Sequence, residues 1–232
     1  MKLAIFLIAS VMLGVANAAE PNTLTTQEKA AGWRLLFDGK TTQGWLGLGK
    51  ADFPGQGWVV ENGVLKHIAG GGGGDIVTEE HFDDFELAWE WKVAPKANGG
   101  LKYNLPDPKK PLGCEYQMID DVGHPDGQRG GRLHQTASLY DVLEPAADKK
   151  LRPPGEWNTS RIVVAGNHVE HWLNGAKTVE FEFGSEALKT AIAKSKFKEV
   201  KGWGVKTKSP ILLQDHHDEY AVRSMKIRRL GL

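Results

Sequence analysis

The 232-residue sequence predicts an all-β protein, an antiparallel β-sandwich carrying one or two short helices. Three observations predict it. Runs of alternating apolar and polar residues recur along the chain, glycine and asparagine turn pairs separate them, and helical spacing of apolar residues is scarce. FELAWEWKV from Phe85 shows the alternation best: Phe85, Leu87, Trp89, Trp91 and Val93 fall on one face, and Glu86, Glu90 and Lys92 on the other. That is the period of a strand buried on one side.

In chain order, residues 1–18 (MKLAIFLIASVMLGVANA) place Lys2 before an apolar run and Ala16-Asn17-Ala18 after it, the layout of a secretory signal peptide. The run is shorter than the roughly 20 residues that a membrane-spanning helix needs, and no cysteine lies near the cleavage point, so no membrane anchor is expected. Residues 19–232 are read as one domain, periplasmic or secreted, because no linker, composition shift or internal repeat divides them. TTQEKAAG offers a Thr25/Glu28 capping box for a turn or two of helix ending at Gly32. WVVENGVLKH is a hairpin turning at Asn62-Gly63, residues that tolerate positive φ. Gly70–Gly74 leads into an apparent strand rather than a helix, so it reads as a flexible loop tip and not as a phosphate cradle. VGHPDGQRGGR, 122–132, is a long polar loop of the kind that often carries function. Ser160 to Phe183 forms a three-stranded meander with turns at Gly166-Asn167 and Asn174-Gly175. SEALKTAIAKSKF is a serine-capped surface helix, and YAVRSMKIRRL is a last strand.

Composition narrows the function. Removing residues 1–18 takes away one lysine and leaves 28 basic against 29 acidic residues, without the basic excess of a nucleic-acid binder. Cys114 is the single cysteine, which excludes a disulfide framework and a cysteine zinc site and points to a buried, inert thiol. No G-x-S-x-G elbow is present.

Four constellations could carry chemistry. CEYQMID places Glu115, Gln117 and Asp120 so that a one-residue bulge would bring all three to one face; otherwise they are solvated acids on a strand edge. LLQDHHDEY gathers Gln214, Asp215, His216, His217, Asp218 and Glu219, which could ligate a metal, form a base with its orienting partner, or make a polar turn. Adjacent strand residues face opposite ways, so His216 and His217 cannot both point inward there. Arg223 alternates with Ala221, Met225 and Ile227 on an apolar face, where it needs a carboxylate or a polar ligand. PPGEWN sets Trp157 between Glu156 and Asn158, suited either to stacking on a sugar or to plugging one end of the sandwich.

Taken in order, LFDGKTTQGW, WVVENGVL, FELAWEWK, NGGLKY, CEYQMIDD, ASLYD, PPGEWN, HWLNG and LLQDH make the chain resemble the 3-keto-disaccharide hydrolase domain family over nearly all of residues 19–232. The resemblance implies a jelly-roll sandwich similar to concanavalin A-like lectins and glucanases. The chain departs from the family in having Asn98-Gly99-Gly100 for Asn-Ser-Gly and Val222-Arg223-Ser224 for Phe-Arg-Asn, and in having Asn104 where some members have arginine.

The resemblance also implies cleavage of a glycoside oxidised to a ketone at C3, with a carbohydrate substrate; no cofactor or metal is expected, since no run of acidic ligands demands an ion. A C3 carbonyl acidifies the C2 proton, so a base can form an enolate, the C1 substituent leaves, and water adds to the enone. Such a site needs a base, an acid for the leaving group and donors to the enolate oxygen. The residues expected in these roles are Asp120 or His216 as base, Glu115 as acid, and Gln117, Gln214 and Arg223 as positioning or enolate-stabilising groups, with Tyr103 and Trp157 holding the sugar. The rival readings are a non-catalytic glycan-binding module and a retaining glucanase acting on unoxidised glycan.

Overall fold

The computed structural model of the protein describes residues 20–231, so the expected leader peptide lies outside the described residues. Thirteen strands appear in chain order among the described residues. They are β1 (Arg34–Leu35), β2 (Trp45–Gly47), β3 (Trp58–Glu61), β4 (Val64–His67), β5 (Ile76–Phe82), β6 (Phe85–Val93), β7 (Asn98–Tyr103), β8 (Cys114–Ile119), β9 (Asn158–Ala165), β10 (His168–Leu173), β11 (Ala176–Glu182), β12 (Ser209–Leu213) and β13 (Tyr220–Arg229). The larger sheet runs β11-β10-β9-β6-β13-β4-β3 with β1 beside β13, and the smaller runs β2-β5-β12-β7-β8. Every pairing is antiparallel. This is the sandwich that the alternation implies.

The turns follow from their residues. Asn62-Gly63 and Asn174-Gly175 both hold left-handed conformations, as two-residue hairpins require. The helices are brief: α1 (Thr26–Ala30) with the Thr25/Glu28 box formed, α2 (Pro125–Arg129), and α3 (Glu186–Ile192) capped by Ser185. The polar loop 122–132 therefore contains α2 and leads into a 3-10 turn at Gly131–His134. Gly70–Gly74 is not a free loop tip. A Cβ on Gly73 would lie 2.2 Å from the Gln56 carbonyl oxygen, so the run is a ledge packed against residues 56–57 that only glycine can form.

The core lies between the sheets. Leu87, Trp89 and Trp91 of β6 meet Leu101 and Tyr103 of β7 and Cys114, Tyr116 and Met118 of β8, all buried. Each such side chain contributes about 1.5–3 kcal/mol on burial. The polar tips in this layer are paired. Trp91 Nε1 donates to Ser160 Oγ at 2.8 Å, and the hydroxyls of Tyr116 and Tyr103 reach Ser160 Oγ at 2.7 Å and His171 Nε2 at 2.8 Å. Burial pushes the Cys114 thiol well up, leaving it protonated and unreactive, as its isolation in the sequence implies.

One strand corrects an expectation. In β13 the register slips between Arg223 and Lys226, and Ser224 adopts φ 51°, inserting a bulge. The bulge reverses the alternation. Arg223 opposes Glu90 and Arg228 opposes Glu86 on the outer face, while Val222, Met225 and Ile227 point into the core.

Candidate active site

The site grows from the pairing of β7 with β8. Lys102 opposes Glu115 and Gly100 opposes Gln117. Period-two alternation sends Leu101, Tyr103, Tyr116 and Met118 inward and leaves Asn98, Gly100, Lys102, Glu115 and Gln117 on the outer face of the smaller sheet. These polar residues are nevertheless buried, because neighbouring loops cover that face. Segment 137–140 hydrogen-bonds along β8, with Ala137 N–H donating to the Gln117 carbonyl and Tyr140 N–H to the Glu115 carbonyl. Pro111–Gly113, Tyr140, Lys196 and Phe197 form one wall, and Gln214 and His216 the other. They line a small, partly open cleft of about 90 Å³.

The floor is organised around Glu115. Lys102 Nζ lies 3.5 Å from Glu115 Oε2 and donates to the Pro111 carbonyl at 3.0 Å. Gly100 keeps the floor open, for a Cβ there would meet Glu115 Oε1 at 2.6 Å and Gln214 Oε1 at 2.9 Å. Gln214 N–H donates to the Gly100 carbonyl, which fixes its segment on β7. Two buried acceptors, Gln214 Oε1 and Asn98 Oδ1, have no partner within the protein. An unpaired buried acceptor costs about 1–3 kcal/mol, so these atoms are suited to donors brought by a ligand.

Segment 214–218 is held by Asp215. Its carboxylate accepts the Gly74 and His217 N–H groups and lies 2.9 Å from His67 Nε2. Burial alone would raise its pKa, but these contacts outweigh it and hold the carboxyl below its ordinary range. Beside it Asp75, which accepts the Asp215 N–H, is raised above the ordinary range chiefly by burial. His217 takes φ 68° and points to solvent with 81% of its side chain exposed, so His216 alone turns to the cleft.

Of the expected site residues, Glu115, Gln117, Gln214 and His216 thus come together. Four others do not. Strand β8 is regular, with no bulge, and Asp120 leaves it on the other side. The Asp120 carboxylate accepts the Lys96, Val122 and Gly123 N–H groups, bonds that overcome the effect of burial and keep its pKa low. It lines a separate, largely apolar depression with Trp91, Val93 and Pro153. Tyr103 is on the inward face of β7, fully buried against His171. Arg223 and Trp157 stack together on the outer face of the larger sheet, with the guanidinium carbon 4.1 Å from the ring centroid and Arg223 paired to Glu90 at 2.7 Å. That face is on the far side of the sandwich from the cleft. Asn104, the other departure from the family pattern, is a brace: it donates to the Val205 carbonyl and accepts the Thr207 N–H.

Lys102, Asn98, Tyr140 and Lys196 belong to the cleft without having been expected there. The first two could have been found, because NGGLKY alternates in step with CEYQMI and so puts Asn98 and Lys102 on the face of Glu115. Tyr140 and Lys196 arrive through loops and carry no local signal.

A two-sheet body with a carboxylate, an imidazole, an ammonium group and amides around one cleft defines, with the comparisons that follow, a glycoside-cleaving enzyme of the β-sandwich type. The model of the 3-keto-α-glucoside-1,2-lyase-like domain matches residues 32–228, and the chain belongs to that family. It is 32% identical to a 3-keto-disaccharide hydrolase of Bacteroides thetaiotaomicron, over 92% of this chain and 84% of that one. A crystal structure of a candidate glycosyl hydrolase from Parabacteroides distasonis superposes with a TM-score of 0.82 at 34% identity, covering 91% of this chain and all of the other. A second from the same organism gives 0.65 at 26% identity, covering 85% of this chain and 99% of that one. A carbohydrate-binding module from Bacillus subtilis shares the fold at a TM-score of 0.50 and 11% identity, covering 80% of this chain and 95% of the module.

Proposed function

We propose that the protein cleaves the glycosidic bond of 3-keto-disaccharides in this cleft by C2 proton abstraction, elimination and hydration. The observation that carries the reading is the donor set. Among the described residues lining the cleft, Glu115 is the one carboxylate, and it is accompanied by His216 and Lys102. Glycoside hydrolases acting directly at C1 generally need two carboxyl groups flanking the bond. One carboxylate and one imidazole suit proton transfer at C2 and at the leaving oxygen instead.

His216 takes the C2 proton and the electron pair moves toward the C3 oxygen. Glu115 gives a proton to the departing glycosidic oxygen, and water then adds across the enone. Lys102 takes the enolate-stabilising role expected of Arg223, since a buried ammonium group beside the floor is worth far more than in water. Gln214 Oε1 and Asn98 Oδ1 accept sugar hydroxyls. The family's lyase designation and the relative's hydrolase name both support this sequence of steps, because elimination followed by hydration is net hydrolysis. The leader expected at residues 1–18 supports a periplasmic or secreted location for the reaction, and N-terminal sequencing of the mature protein should begin at Ala19.

Incubation with paired 3-keto and unmodified disaccharides tests the reading. Turnover of the 3-keto compound alone is expected, and in D2O the released keto-sugar should carry deuterium at C2 beyond an enzyme-free control. Cleavage of the unmodified sugar, or product retaining its C2 hydrogen, overturns it.

A further inference from the structure

At the lip of the cleft, next to the wall that carries His216, three side chains from distant parts of the chain converge. One ligand atom each from His124, His216 and Asp218 lies within 4.8 Å of the others. His124 Nε2 is 3.6 Å from Asp218 Oδ2, and the two imidazoles meet edge to face with centroids 5.9 Å apart. All three side chains are partly exposed, so an ion can reach them from solvent. A second observation points to a ligand there. The Asn98 amide, only 1% exposed, lies against His216 with Nδ2 3.3 Å from Nε2, while its Oδ1 has no partner. A half-turn of the amide exchanges the two atoms and presents an oxygen to the cluster.

We propose that His124, His216 and Asp218 bind a divalent transition-metal ion, with Asn98 Oδ1 as an adjoining oxygen donor. Two imidazoles and a carboxylate with open positions suit zinc, manganese, cobalt or iron rather than calcium, which prefers an all-oxygen shell. Bonds of roughly 2.0–2.2 Å need only small side-chain movements from the present spacing. Asp218 is already oriented, because its Oδ2 accepts the Asn98 N–H at 2.9 Å. His124 Nδ1 now accepts the Asp126 N–H, so coordination through Nε2 exchanges this single cap bond for a metal bond.

The inference rests on the glycoside reading for what the ion does and modifies two roles in it, since Asn98 Oδ1 turns from a sugar hydroxyl to the ion and His216 gives up proton abstraction. With the His216 lone pair committed to metal, the base on that wall becomes a water whose pKa the ion lowers, and the ion also serves as a Lewis acid for a substrate oxygen. The sequence places His216 beside His217, but the second imidazole comes from His124 in the loop ahead of α2. A comparable cluster, His168 with Glu170 and Glu180 on the edge of β10 and β11, already engages Lys177 and serves as an internal control.

The test uses untagged protein stripped with chelator and titrated with Co2+, followed by visible absorption and by metal content after gel filtration. One Co2+ per chain is expected, with affinity weakened at least about tenfold in His124→Ala and in Asp218→Asn and unchanged in His168→Ala. Asp218→Asn keeps an acceptor for the Asn98 N–H, so it decides the matter if His124→Ala fails to fold. Absence of saturable one-to-one binding, binding indifferent to both lip variants, or binding lost in His168→Ala overturns the site. Turnover of a 3-keto-disaccharide is scored separately: turnover without any bound ion removes the metal site and spares the glycoside reading, and stoichiometric binding without turnover does the reverse.

Discussion

At the scale of single residues, Glu115 and Asp120 present the sharpest contrast. Both were expected to act on substrate, yet one faces the cleft and the other is spent on three backbone N–H groups of a turn. Glu115→Gln keeps the size and hydrogen-bonding capacity of the side chain and removes its titration. It should lower kcat by about 100-fold or more while the melting temperature stays close to that of the parent. Asp120→Asn should leave kcat unaltered and act on acid stability. The Asp120 pKa is depressed in the folded state, so its contribution is present above the unfolded value and disappears as pH falls through the folded one. Urea denaturation near pH 3 against pH 7 would show the parent losing this contribution and the variant lacking it at both. Gly100→Ala is a third case. Its Cβ would push aside both Glu115 and Gln214, and a displacement of that order should cost about 100-fold in kcat/KM. Steady-state kinetics alongside a circular-dichroism melt would separate this from misfolding.

At the scale of elements, one bulge decides what an arginine does. The alternation in YAVRSMKIRRL is strict enough to identify a strand and gives no warning that Ser224 interrupts it. A bulge is stabilised by contacts from other strands, here the ladders to β6 and β4 and the Asn22 side chain bonded to Ser224, and none of these is local. Serine is strained at φ 51°, whereas asparagine enters the left-handed region readily. Ser224→Asn, the residue usual in the family at this position, should therefore raise the free energy of unfolding by about 0.5–1 kcal/mol, measurable in a urea titration. The opposite holds for β7 and β8. They pair without interruption, so period-two counting places Asn98, Lys102, Glu115 and Gln117 on one face, and Tyr103 belongs to the core by the same count.

For the molecule as a whole, the layer between the sheets contains a titratable group that must stay neutral. His171 is completely buried, and burial brings its pKa down to about 4. Between about pH 6.5 and pH 4 the unfolded chain binds a proton at this residue that the folded chain refuses, so stability rises with pH across that window and is lost on acidification. The full span amounts to about 3 kcal/mol. His171→Gln, which retains a partner for the Tyr103 hydroxyl, should flatten the dependence of unfolding free energy on pH between 4 and 6.5, as chemical denaturation at several pH values would reveal.

Local chemistry by itself determined the strands, the hairpin turns, the helix caps and the sandwich, because alternation, Asn-Gly pairs and capping residues act over a few positions. It also identified Glu115 and Gln117 on β8 and the cluster around Gln214 and His216 as polar groups that needed a use. Tertiary structure decided which of them share a cleft. The face on which Arg223 lies depends on a bulge, the seclusion of Asp120 on a turn closed by residues from two loops, and the meeting of His124 with His216 on chain segments 92 residues apart. Such contacts are set by how the sheets pack and where the loops land, and a one-dimensional pattern carries no record of either.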